Sequence, residues 1–437
     1  MVLVTLPDRS TLSRREYARS LVAVGGATAL SACLDASSDE NGEENNVPSG
    51  TDDLDSLPAR QYAWNEFAPR DDNGNVQPPA HHVLLPLALT ERATANGEPT
   101  ADAREVTESA LRTLERAYEW STDGLLFTLG YTPAYFERFD EDLPEVVDLP
   151  EPEALTSRED PSFDEFDALL HLASNHPEVV LEVEEGLFGD QEEPERNGVV
   201  LESDLTEVFE RVDENRRTGF VGDGLPVEHT DVAGVPDAVP EDAPFFMGFR
   251  SGFDRTQASE DHVTIDSGPF ADGTTQHVSS MDIQLEVWFE QENHYQRVSK
   301  MFSPEHAAED LVGDVGEELG ADSGLSDERI EATAADARQE GVVGHAQKAA
   351  RGREDGDPPL LRRDFNTIDG DRPGLHFVSL QHEIEDFVRV REAMTGADLD
   401  VASANNGILH YIFVNRRGNY LLPPRELRAL PAANPDA

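Results

Sequence analysis

The sequence contains little positive charge and almost no lysine. Its 437 residues include 34 Lys and Arg but 89 Asp and Glu, so the formal net charge is −55, and only Lys300 and Lys348 are lysines. Such a chain repels a phosphate backbone, which excludes a nucleic-acid binder that works by charge neutralisation. An excess of surface carboxylates is typical of proteins that fold in molar salt, where the Debye length falls to about 3 Å. We therefore expect a halophilic protein.

Cysteine is nearly absent as well, because Cys33 is the only one in the chain. Neither disulfides nor thiolate metal sites are therefore available to the rest of the chain. Cys33 closes the sequence Leu-Ser-Ala-Cys, which resembles the lipobox of exported lipoproteins. The apolar stretch before it, residues 21–30, is too short to span a bilayer, and the pair Arg14-Arg15 precedes that stretch. This order indicates a twin-arginine export signal.

These features predict how the beginning of the chain is organised. We expect a twin-arginine signal peptide with a lipobox over residues 1–33. A disordered acidic tether, rich in Asp, Glu, Asn, Ser and Gly, is expected over residues 34–60. The mature protein is then secreted, or anchored on the outer face of the cytoplasmic membrane by a lipid on Cys33, its only contact with the membrane. In the alternative interpretation, Cys33 is an incidental residue of a cleaved peptide.

The remainder of the chain shows a similar succession of strands and helices twice. The hydrophobic fraction is 38%, and aromatic residues and periodic apolar segments run through the whole length, which excludes an acidic disordered protein. Apolar runs predict strands at residues 81–89, 125–131, 166–173, 283–289 and 374–380. Helical spacing of apolar residues predicts helices at residues 101–120, from 175–178 onward, around 307–319 and at 384–394.

Two α+β halves of similar design predict a duplicated ferredoxin-like sandwich with antiparallel sheets, rather than a doubly wound sheet. We assign residues 61–240 to an N-terminal domain and residues 241–437 to a C-terminal domain. Residues 188–242 are dense in acidic residues, Gly and Pro. We expect them to form a long acidic excursion on the surface of the first domain.

These halves resemble the dye-decolorising (Dyp-type) peroxidases, haem proteins built from two ferredoxin-like domains of the dimeric α+β barrel type. The resemblance covers residues 75–425. It rests on segments that follow one another in the family's order, namely residues 125–136, FDALLHLASNHPEVV, FFMGFRSGF, GHAQKAAR, LLRRDF and GLHFVSLQHEIEDFV. It implies an exported peroxidase-like protein that uses haem b to reduce hydrogen peroxide while an unknown donor is oxidised.

On the proximal side of a haem, the resemblance implies that His345 is the iron ligand. One neutral imidazole nitrogen binds the iron, while an acceptor holds the other nitrogen and so sets the tautomer and basicity. Glu383 stands where the family places that acceptor. In the alternative interpretation, His345 is a surface histidine on an arginine-rich helix and Glu383 is one of many exposed acidic residues.

On the distal side, the resemblance implies that Arg362 polarises the bound peroxide, because a fixed guanidinium stabilises charge that develops as the O–O bond breaks. The neighbouring Arg363 is expected to contact a haem propionate through a bidentate pair. Gly248 and Phe249 begin the segment that corresponds to the family's G-x-x-D-G motif, and we expect both to lie against the cofactor. In the alternative interpretation, the two arginines balance charge on an acidic surface.

That motif departs from the family pattern, because Ser251 stands where the family has an aspartate with a proton-transfer role. A serine hydroxyl is a poor base near neutral pH, and the loss of a general acid–base group typically costs about 10²–10⁴-fold in rate. Asp254 lies three residues further on and replaces it only if the loop rearranges. His277 is a second distal candidate, with a strand-surface histidine as the alternative.

Three functional hypotheses therefore remain. The first is a haem peroxidase, with hydrogen peroxide and an unknown electron donor as its partners. The second is a haem-binding or iron-handling protein of the same fold with weak or no peroxidase activity, and the third is a haem-free relative that binds something else. A homo-oligomer is compatible with each hypothesis. No P-loop, G-x-G-x-x-G, H-E-x-x-H or G-x-S-x-G motif points to another chemistry.

Overall fold

The computed structural model describes residues 47–157, 159–189, 195–201, 203–354 and 356–435. The predicted signal peptide, its Cys33 and residues 34–46 of the predicted tether lie outside these ranges. Residues 47–60, which we also assigned to the tether, pack against the folded protein instead. Val47 is buried in the core, and the backbone N–H of Thr51 donates to the carbonyl of Glu115 over 3.1 Å. The tether prediction was therefore wrong for this final part.

Eight antiparallel strands close into a barrel: β1 His81–Leu89, β2 Leu126–Tyr131, β3 Ala168–Ser174, β4 Arg217–Phe220, β5 Thr274–Ile283, β6 Phe365–Thr367, β7 Gly374–Gln381 and β8 Ile412–Leu422. Their order is β4-β6-β7-β5-β8-β2-β3-β1, and β1 pairs again with β4. Three further short strands pair with barrel strands: Ser162–Phe163 with β8, Phe209–Arg211 with β1 and Leu361–Arg362 with β7. Two small hairpins join Thr94–Ala95 to Glu98–Pro99 and Glu195–Arg196 to Val199–Val200. The predicted α+β class with antiparallel sheets is confirmed.

The strands of the two predicted halves meet at two seams. At the first, β8 pairs with β2 through Leu421 and Tyr131. At the second, β4 lies between β1 and β6. Residues 188–242 are therefore more than a surface excursion, since they supply β4 and the strand Phe209–Arg211, and this part of the prediction was wrong. The domain boundary at residue 240 stays a prediction.

The described residues form ten α-helices: α1 Ala101–Ala117, α2 Pro133–Phe136, α3 Pro177–Phe188, α4 Leu285–Gln291, α5 His294–Met301, α6 Pro304–Ala308, α7 Asp327–Glu331, α8 Thr333–Gln339, α9 His345–Ala350 and α10 Ile384–Thr395. Local chemistry sets several of their ends. The hydroxyl of Thr100 accepts from the N–H of Ala103 at the start of α1, and Gly396, with φ +56°, ends α10. Within the described ranges no helix is long and apolar enough to cross a membrane.

Two sequence predictions are corrected around α4. Residues 283–289 were predicted as a strand, but β5 ends at Ile283 and α4 follows it. The buried residues of α4 are Leu285 and Trp288, three positions apart, which is helical spacing. A short apolar run of this kind does not distinguish strand from helix by periodicity alone. Between residues 307 and 319 only the end of α6 and a 3₁₀ turn at Glu317–Leu319 are helical.

The C-terminal part of the sheet carries helices on its outer face. Helix α10 packs on β5 and β7, and α9 packs on α10. Successive side chains of β5 point to opposite faces of the sheet. Val278 lies in the core inside the barrel, whereas Ser279 and Met281 face a cavity outside it. The space between this sheet and its helices is therefore where a ligand can be enclosed.

Candidate functional site

A cavity of about 1230 Å³ lies between the outer face of the C-terminal strands, α9, α10 and residues 245–253. Its wall is largely apolar and includes eight phenylalanines, at positions 245, 246, 249, 253, 302, 377, 387 and 413. A large concave site with an apolar wall and few polar groups is the usual form of a small-molecule or cofactor site. This cavity is large enough for a ligand far bigger than hydrogen peroxide.

His345 begins α9 and lines this cavity. Burial, followed by the nearby cations Lys348, Arg362 and Arg391, lowers the pKa of His345 to about 3. The imidazole is therefore neutral across the working pH range, which is the form that binds metals. Its Nδ1 is buried and has no hydrogen-bond partner. His345, which the sequence analysis named as a candidate iron ligand, is thus a neutral imidazole in the cavity wall.

Glu383 does not reach His345. It stands at the N-cap of α10, where its side chain is 55% exposed and its Oε1 lies 3.8 Å from Nδ1 of His382. It is not part of the cavity wall. The expectation that Glu383 holds the second ring nitrogen of His345 is therefore corrected. The strand–helix junction that carries Glu383 turns this side chain toward solvent.

The structure brings Arg362 and Ser251 together at the cavity wall. Nη1 of Arg362 donates to Oγ of Ser251 over 3.2 Å. Oε1 of Gln257 accepts from Nε of Arg362 over 3.3 Å and from its backbone N–H over 3.1 Å. The guanidinium is thus held in place beside the serine that replaces the family aspartate. The sequence analysis expected Arg362 and Ser251 on the same side of one site, and this hydrogen bond agrees with that expectation.

Arg363 points away from the cavity, so its expected contact with a propionate is corrected. Its Nη2 donates to Oε1 of Glu260 over 2.9 Å, and its guanidinium carbon lies 4.2 Å from the ring centre of Trp64. Adjacent side chains on an extended segment point to opposite sides. Because Arg362 faces the cavity, Arg363 has to face the interior on the other side of the sheet.

Of the other predicted site residues, one lines the cavity and two lie outside its wall. Phe249 lines the cavity, whereas Gly248 does not and instead forms a turn with φ +87°. Asp254 is also outside the wall, and its Oδ1 accepts from Nη1 of Arg70 over 3.0 Å. The idea that Asp254 reaches back to replace the missing aspartate is therefore corrected.

His277 is buried beside the site rather than in its wall. Its ring stacks on Phe387 with the ring centres 3.6 Å apart. Its Nδ1 bonds Oδ1 of Asn419 over 2.7 Å, and its Nε2 bonds Oγ of Ser279 over 2.7 Å. Both ring nitrogens are therefore engaged, and the structure does not place His277 as a distal group.

Sequence reasoning missed Asp364, which also lines the cavity. Its side chain is only 9% exposed, and burial raises its pKa to about 6 although Arg362 and a backbone hydrogen bond oppose the shift. Oδ1 accepts from the N–H of Val378 over 3.2 Å, and Oδ2 lies 4.0 Å from Nη1 of Arg362. The available signal was strand alternation, because Asp364 is two residues after Arg362.

Sequence reasoning also missed a charged cluster formed by Glu159, Arg391 and Arg417. All three line the cavity, and Glu159 accepts from both arginines. Burial would raise the pKa of Glu159, but Arg391 and Arg417 lower it below its usual range. Nη1 of Arg391 and Nε of Arg417 are buried without a hydrogen-bond partner. Glu159 is 258 residues from Arg417, and no local pattern connects them.

This cluster has two guanidinium groups for one carboxylate, so it carries an excess positive charge. Unpaired buried N–H donors are costly, and an anion with oxygen acceptors would satisfy them. The wall therefore suits a ligand with a carboxylate. Within the described ranges, no three His, Cys, Asp or Glu side chains come together in a way that could hold a metal ion.

Solved structures of Dyp-type peroxidases share this architecture. The encapsulated Dyp-type peroxidase from Mycobacterium smegmatis aligns with a TM-score of 0.54 and 14% identity over 84% of this chain and 100% of its own. The dye-decolorizing peroxidase from Bacteroides thetaiotaomicron aligns with a TM-score of 0.51 and 14% identity over 84% of this chain and 99% of its own. A DypB variant from Rhodococcus jostii in complex with haem aligns with a TM-score of 0.50 and 12% identity over 85% of this chain and 99% of its own. At these identities the similarity shows the fold, which is that of the Dyp-type peroxidases.

No curated protein matches the chain by sequence. A family model described as a family of unknown function, DUF7405, matches residues 79–424. This span contains all eight barrel strands and every cavity residue discussed above. The chain therefore belongs to the DUF7405 family.

Proposed function

We propose that this protein binds haem in the cavity and reduces hydrogen peroxide there while a donor is oxidised. One observation carries the proposal: a neutral His345 and the fixed pair Arg362–Ser251 line the same cavity of about 1230 Å³. The peroxidase-type fold supports it, as does the haem bound by the structurally similar DypB variant.

The residues of the cavity fit a haem. His345 would ligate the iron, because its imidazole is neutral and accessible from the cavity. Arg391 and Arg417 would hold a propionate, because each has a buried N–H without a partner. The phenylalanines would enclose the macrocycle and exclude water. When bound, haem supplies the exchange of electrons between peroxide and the donor.

The protein's own contribution to the chemistry lies at Arg362. Gln257 and Ser251 fix its guanidinium, so little reorganisation is needed when negative charge develops on a peroxide oxygen. Ser251 donates or accepts hydrogen bonds but is a poor base near neutral pH.

The test is an absorption spectrum of the purified protein in molar KCl with haem added, together with the variant His345→Ala. We expect a Soret band typical of histidine-ligated haem in the wild type, and its loss or shift in the variant. His262→Ala is the matched control, because His262 is exposed outside the cavity wall. A folded wild-type protein that takes up no haem would refute the proposal.

A second candidate function is haem binding or iron handling without efficient peroxide chemistry. It is favoured by Ser251 in the aspartate position and by the absence of a partner for Nδ1 of His345. An acceptor there would raise the basicity of the ligand. The rate at which the haem-loaded wild type reacts with hydrogen peroxide separates the two candidates. A rate far above that of free haem supports the peroxidase, whereas haem binding with a rate no higher than that of free haem supports the second candidate.

We also propose that the protein is exported through the twin-arginine route and held outside the membrane by a lipid on Cys33. The proposal rests on Arg14-Arg15 and the lipobox-like Leu-Ser-Ala-Cys. Replacing Arg14 and Arg15 by lysine should leave the protein inside the cell. Cys33→Ser should release it into the medium or leave an uncleaved precursor. Fractionation of the cells with an antibody against the folded part measures both outcomes, and unchanged membrane attachment of Cys33→Ser would contradict the anchor.

A further inference from the structure

Asp364 is placed on the cavity wall by the alternation of an extended segment. Arg362 and Asp364 are two residues apart and face the cavity, whereas Arg363 between them faces the opposite side. One oxygen of Asp364, Oδ1, is held by the N–H of Val378 over 3.2 Å. The other, Oδ2, lies 4.0 Å from Nη1 of Arg362, a separation too long for a hydrogen bond. The second oxygen is thus available to a small molecule.

We propose that Asp364 is the group that accepts a proton from hydrogen peroxide in this cavity. The inference rests on the proposed function and identifies a catalytic residue within it. Hydrogen peroxide transfers one proton to Oδ2, so the carboxylate becomes a carboxylic acid and a hydroperoxide anion remains. The O–H bond of peroxide breaks and an O–H bond to Asp364 forms, with no change in oxidation state. Arg362 is placed to stabilise the anion.

The proton affinity of Asp364 suits this task. A general base works best when its pKa lies near the working pH, and burial raises the pKa of Asp364 to about 6. Ser251 remains protonated at this pH and cannot replace it. Asp254 is turned toward Arg70, and Glu159 is engaged by two arginines that keep it ionised. Of these groups, Asp364 combines access to the cavity with a proton affinity in the right range.

Other charged groups face the same cavity and have to be considered in any pH dependence. They are Arg250 from residues 245–253, His345 from α9, Arg353 just after α9, Arg391 and Glu392 from α10, Asp398 and His410 between α10 and β8, Arg417 from β8, and Glu159 beside Arg391 and Arg417. The arginines do not titrate in this pH range. His345 is neutral above about pH 3, and the pKa of Glu159 lies below its usual range. A change near pH 6 is assignable to Asp364 if it disappears in Asp364→Asn and persists in His410→Ala.

The test compares Asp364→Asn with wild type in the haem-loaded full protein. Asparagine keeps an oxygen acceptor for Val378 but does not accept the proton. We expect the rate of reaction with hydrogen peroxide to fall about 10²–10⁴-fold. Cyanide association is the second measurement, because hydrogen cyanide has to lose its proton before its anion binds, and it should slow as well. In the wild type both rates should rise through about pH 6, and this rise should disappear in the variant.

Asp371→Asn is the matched control, because Asp371 is exposed in a turn outside the cavity wall and the charge change is the same. Rates of Asp364→Asn within about twofold of this control, with the same pH profile, would overturn the proposal. If neither the wild type nor the variants take up haem, the proposed function fails and the role of Asp364 fails with it. Haem uptake with an unaffected Asp364→Asn refutes the role of Asp364 alone.

A measurement on the haem-free protein makes the inference independent of turnover. Infrared difference spectra between wild type and Asp364→Asn follow the protonation of one carboxyl group as the pH is varied. We expect a carboxyl that titrates near pH 6 in the wild type and is missing in Asp364→Asn but present in Asp371→Asn. Titration of Asp364 together with the ordinary carboxylates near pH 4 would overturn the proposal, because such a group is too weak a base.

Discussion

Asp364 illustrates at the scale of one residue how a functional group opposes stability. Its carboxylate is buried, and burial favours its neutral form. The residue was missed in the sequence because acidic residues are everywhere in this chain, with 89 in total. What distinguishes it from most of the others is its place in the cavity wall.

We predict that Asp364→Asn makes the protein more stable at neutral pH. The folded-state pKa of about 6 lies above the ordinary value of 3.8, so the folded state binds more protons and stability is lost as the pH rises through this window. The variant removes this loss. Its free energy of unfolding should be about 1–3 kcal/mol higher than that of wild type at pH 7 and equal to it near pH 4.

Denaturant unfolding in molar KCl at several pH values measures this difference, with Asp371→Asn as the control. A lower stability of Asp364→Asn at pH 7 would contradict the prediction. A gain in stability with a loss of peroxide chemistry is the trade-off expected of an active-site group.

His345 and Glu383 show how far prediction at the residue scale could go. The position of His345 in the cavity followed from a segment resemblance, and the structure agrees. The role predicted for Glu383 was wrong, because the backbone at the start of α10 decides whether its side chain faces solvent or the cavity. A resemblance between sequence segments gives the type of a residue but not the direction in which its side chain points. The same holds for Arg362 and Arg363, of which only one faces the cavity.

At the scale of elements, α9 depends on a buried lysine. The helix has six residues and is too short to be stable alone. Lys348, which is fully buried, donates from Nζ to the carbonyl of Met394 over 2.6 Å and to the carbonyl and Oδ1 of Asn406 over 2.9 and 2.7 Å. Burial and the nearby arginines lower the pKa of Lys348 to about 7, but three oxygen acceptors match the three donors of an ammonium group. This lysine fixes the helix that carries His345.

We predict that Lys348→Met destabilises the protein and weakens haem binding. Methionine has a similar volume but leaves the three oxygens without their donor, and unsatisfied buried acceptors typically cost 1–3 kcal/mol each before relaxation. The free energy of unfolding should fall by about 2–4 kcal/mol, and the haem dissociation constant should rise.

Chemical denaturation and haem titration measure the two effects of Lys348→Met. Arg338→Met, at an exposed position of α8, is the matched control and should change the stability by less than about 0.5 kcal/mol. Wild-type stability of Lys348→Met would show that α9 is held by packing alone.

Elements with a clear period were predicted well and ambiguous ones were not. β1 was predicted with the bounds that the structure has, and β7 and α10 were predicted within one residue of theirs. The segment after β5 was assigned to a strand because seven residues are too few to separate the two periodicities. β4 was missed because it is short and lies in an acidic region, and it becomes a strand only by pairing with β1 and β6.

At the scale of the whole molecule, several buried charged side chains have partners of opposite charge, and the excess acidic residues lie mainly at the surface. Both lysines are buried, with relative exposures of 4% for Lys300 and 0% for Lys348. Several buried carboxylates have arginine partners, as Asp164 does with Arg217 over 2.6 Å and Glu184 with Arg216 over 2.6 Å. The excess of acid that gives the net charge of −55 therefore lies mainly at the surface, where it repels itself unless salt screens it.

We predict that stability increases with salt concentration. Raising KCl from about 0.1 M to about 3 M shortens the Debye length from about 10 Å to below 3 Å and screens the surface carboxylates. The melting temperature should rise over this range, and the protein should lose its fold at the low end. Scanning calorimetry or circular dichroism measures the transition. Sucrose at matched water activity is the control, and an equal rise with sucrose would show that exclusion from the surface, not screening, is responsible.

The sequence by itself determined the net charge of this protein and the positions of β1, β2, β3 and β7, because these depend on composition and local periodicity. The fold family followed from the resemblance of its segments to those of the Dyp-type peroxidases. The same resemblance pointed to the segments of His345 and Arg362, which both line the cavity. Only the tertiary structure decided which side chains share the cavity. The pairing of the strand Ser162–Phe163 with β8 and the packing of α10 on the sheet bring Glu159 to Arg391 and Arg417, 232 and 258 residues away. Strand alternation turns Asp364 toward the cavity. Such contacts arise from long-range pairing of strands, for which no local pattern exists.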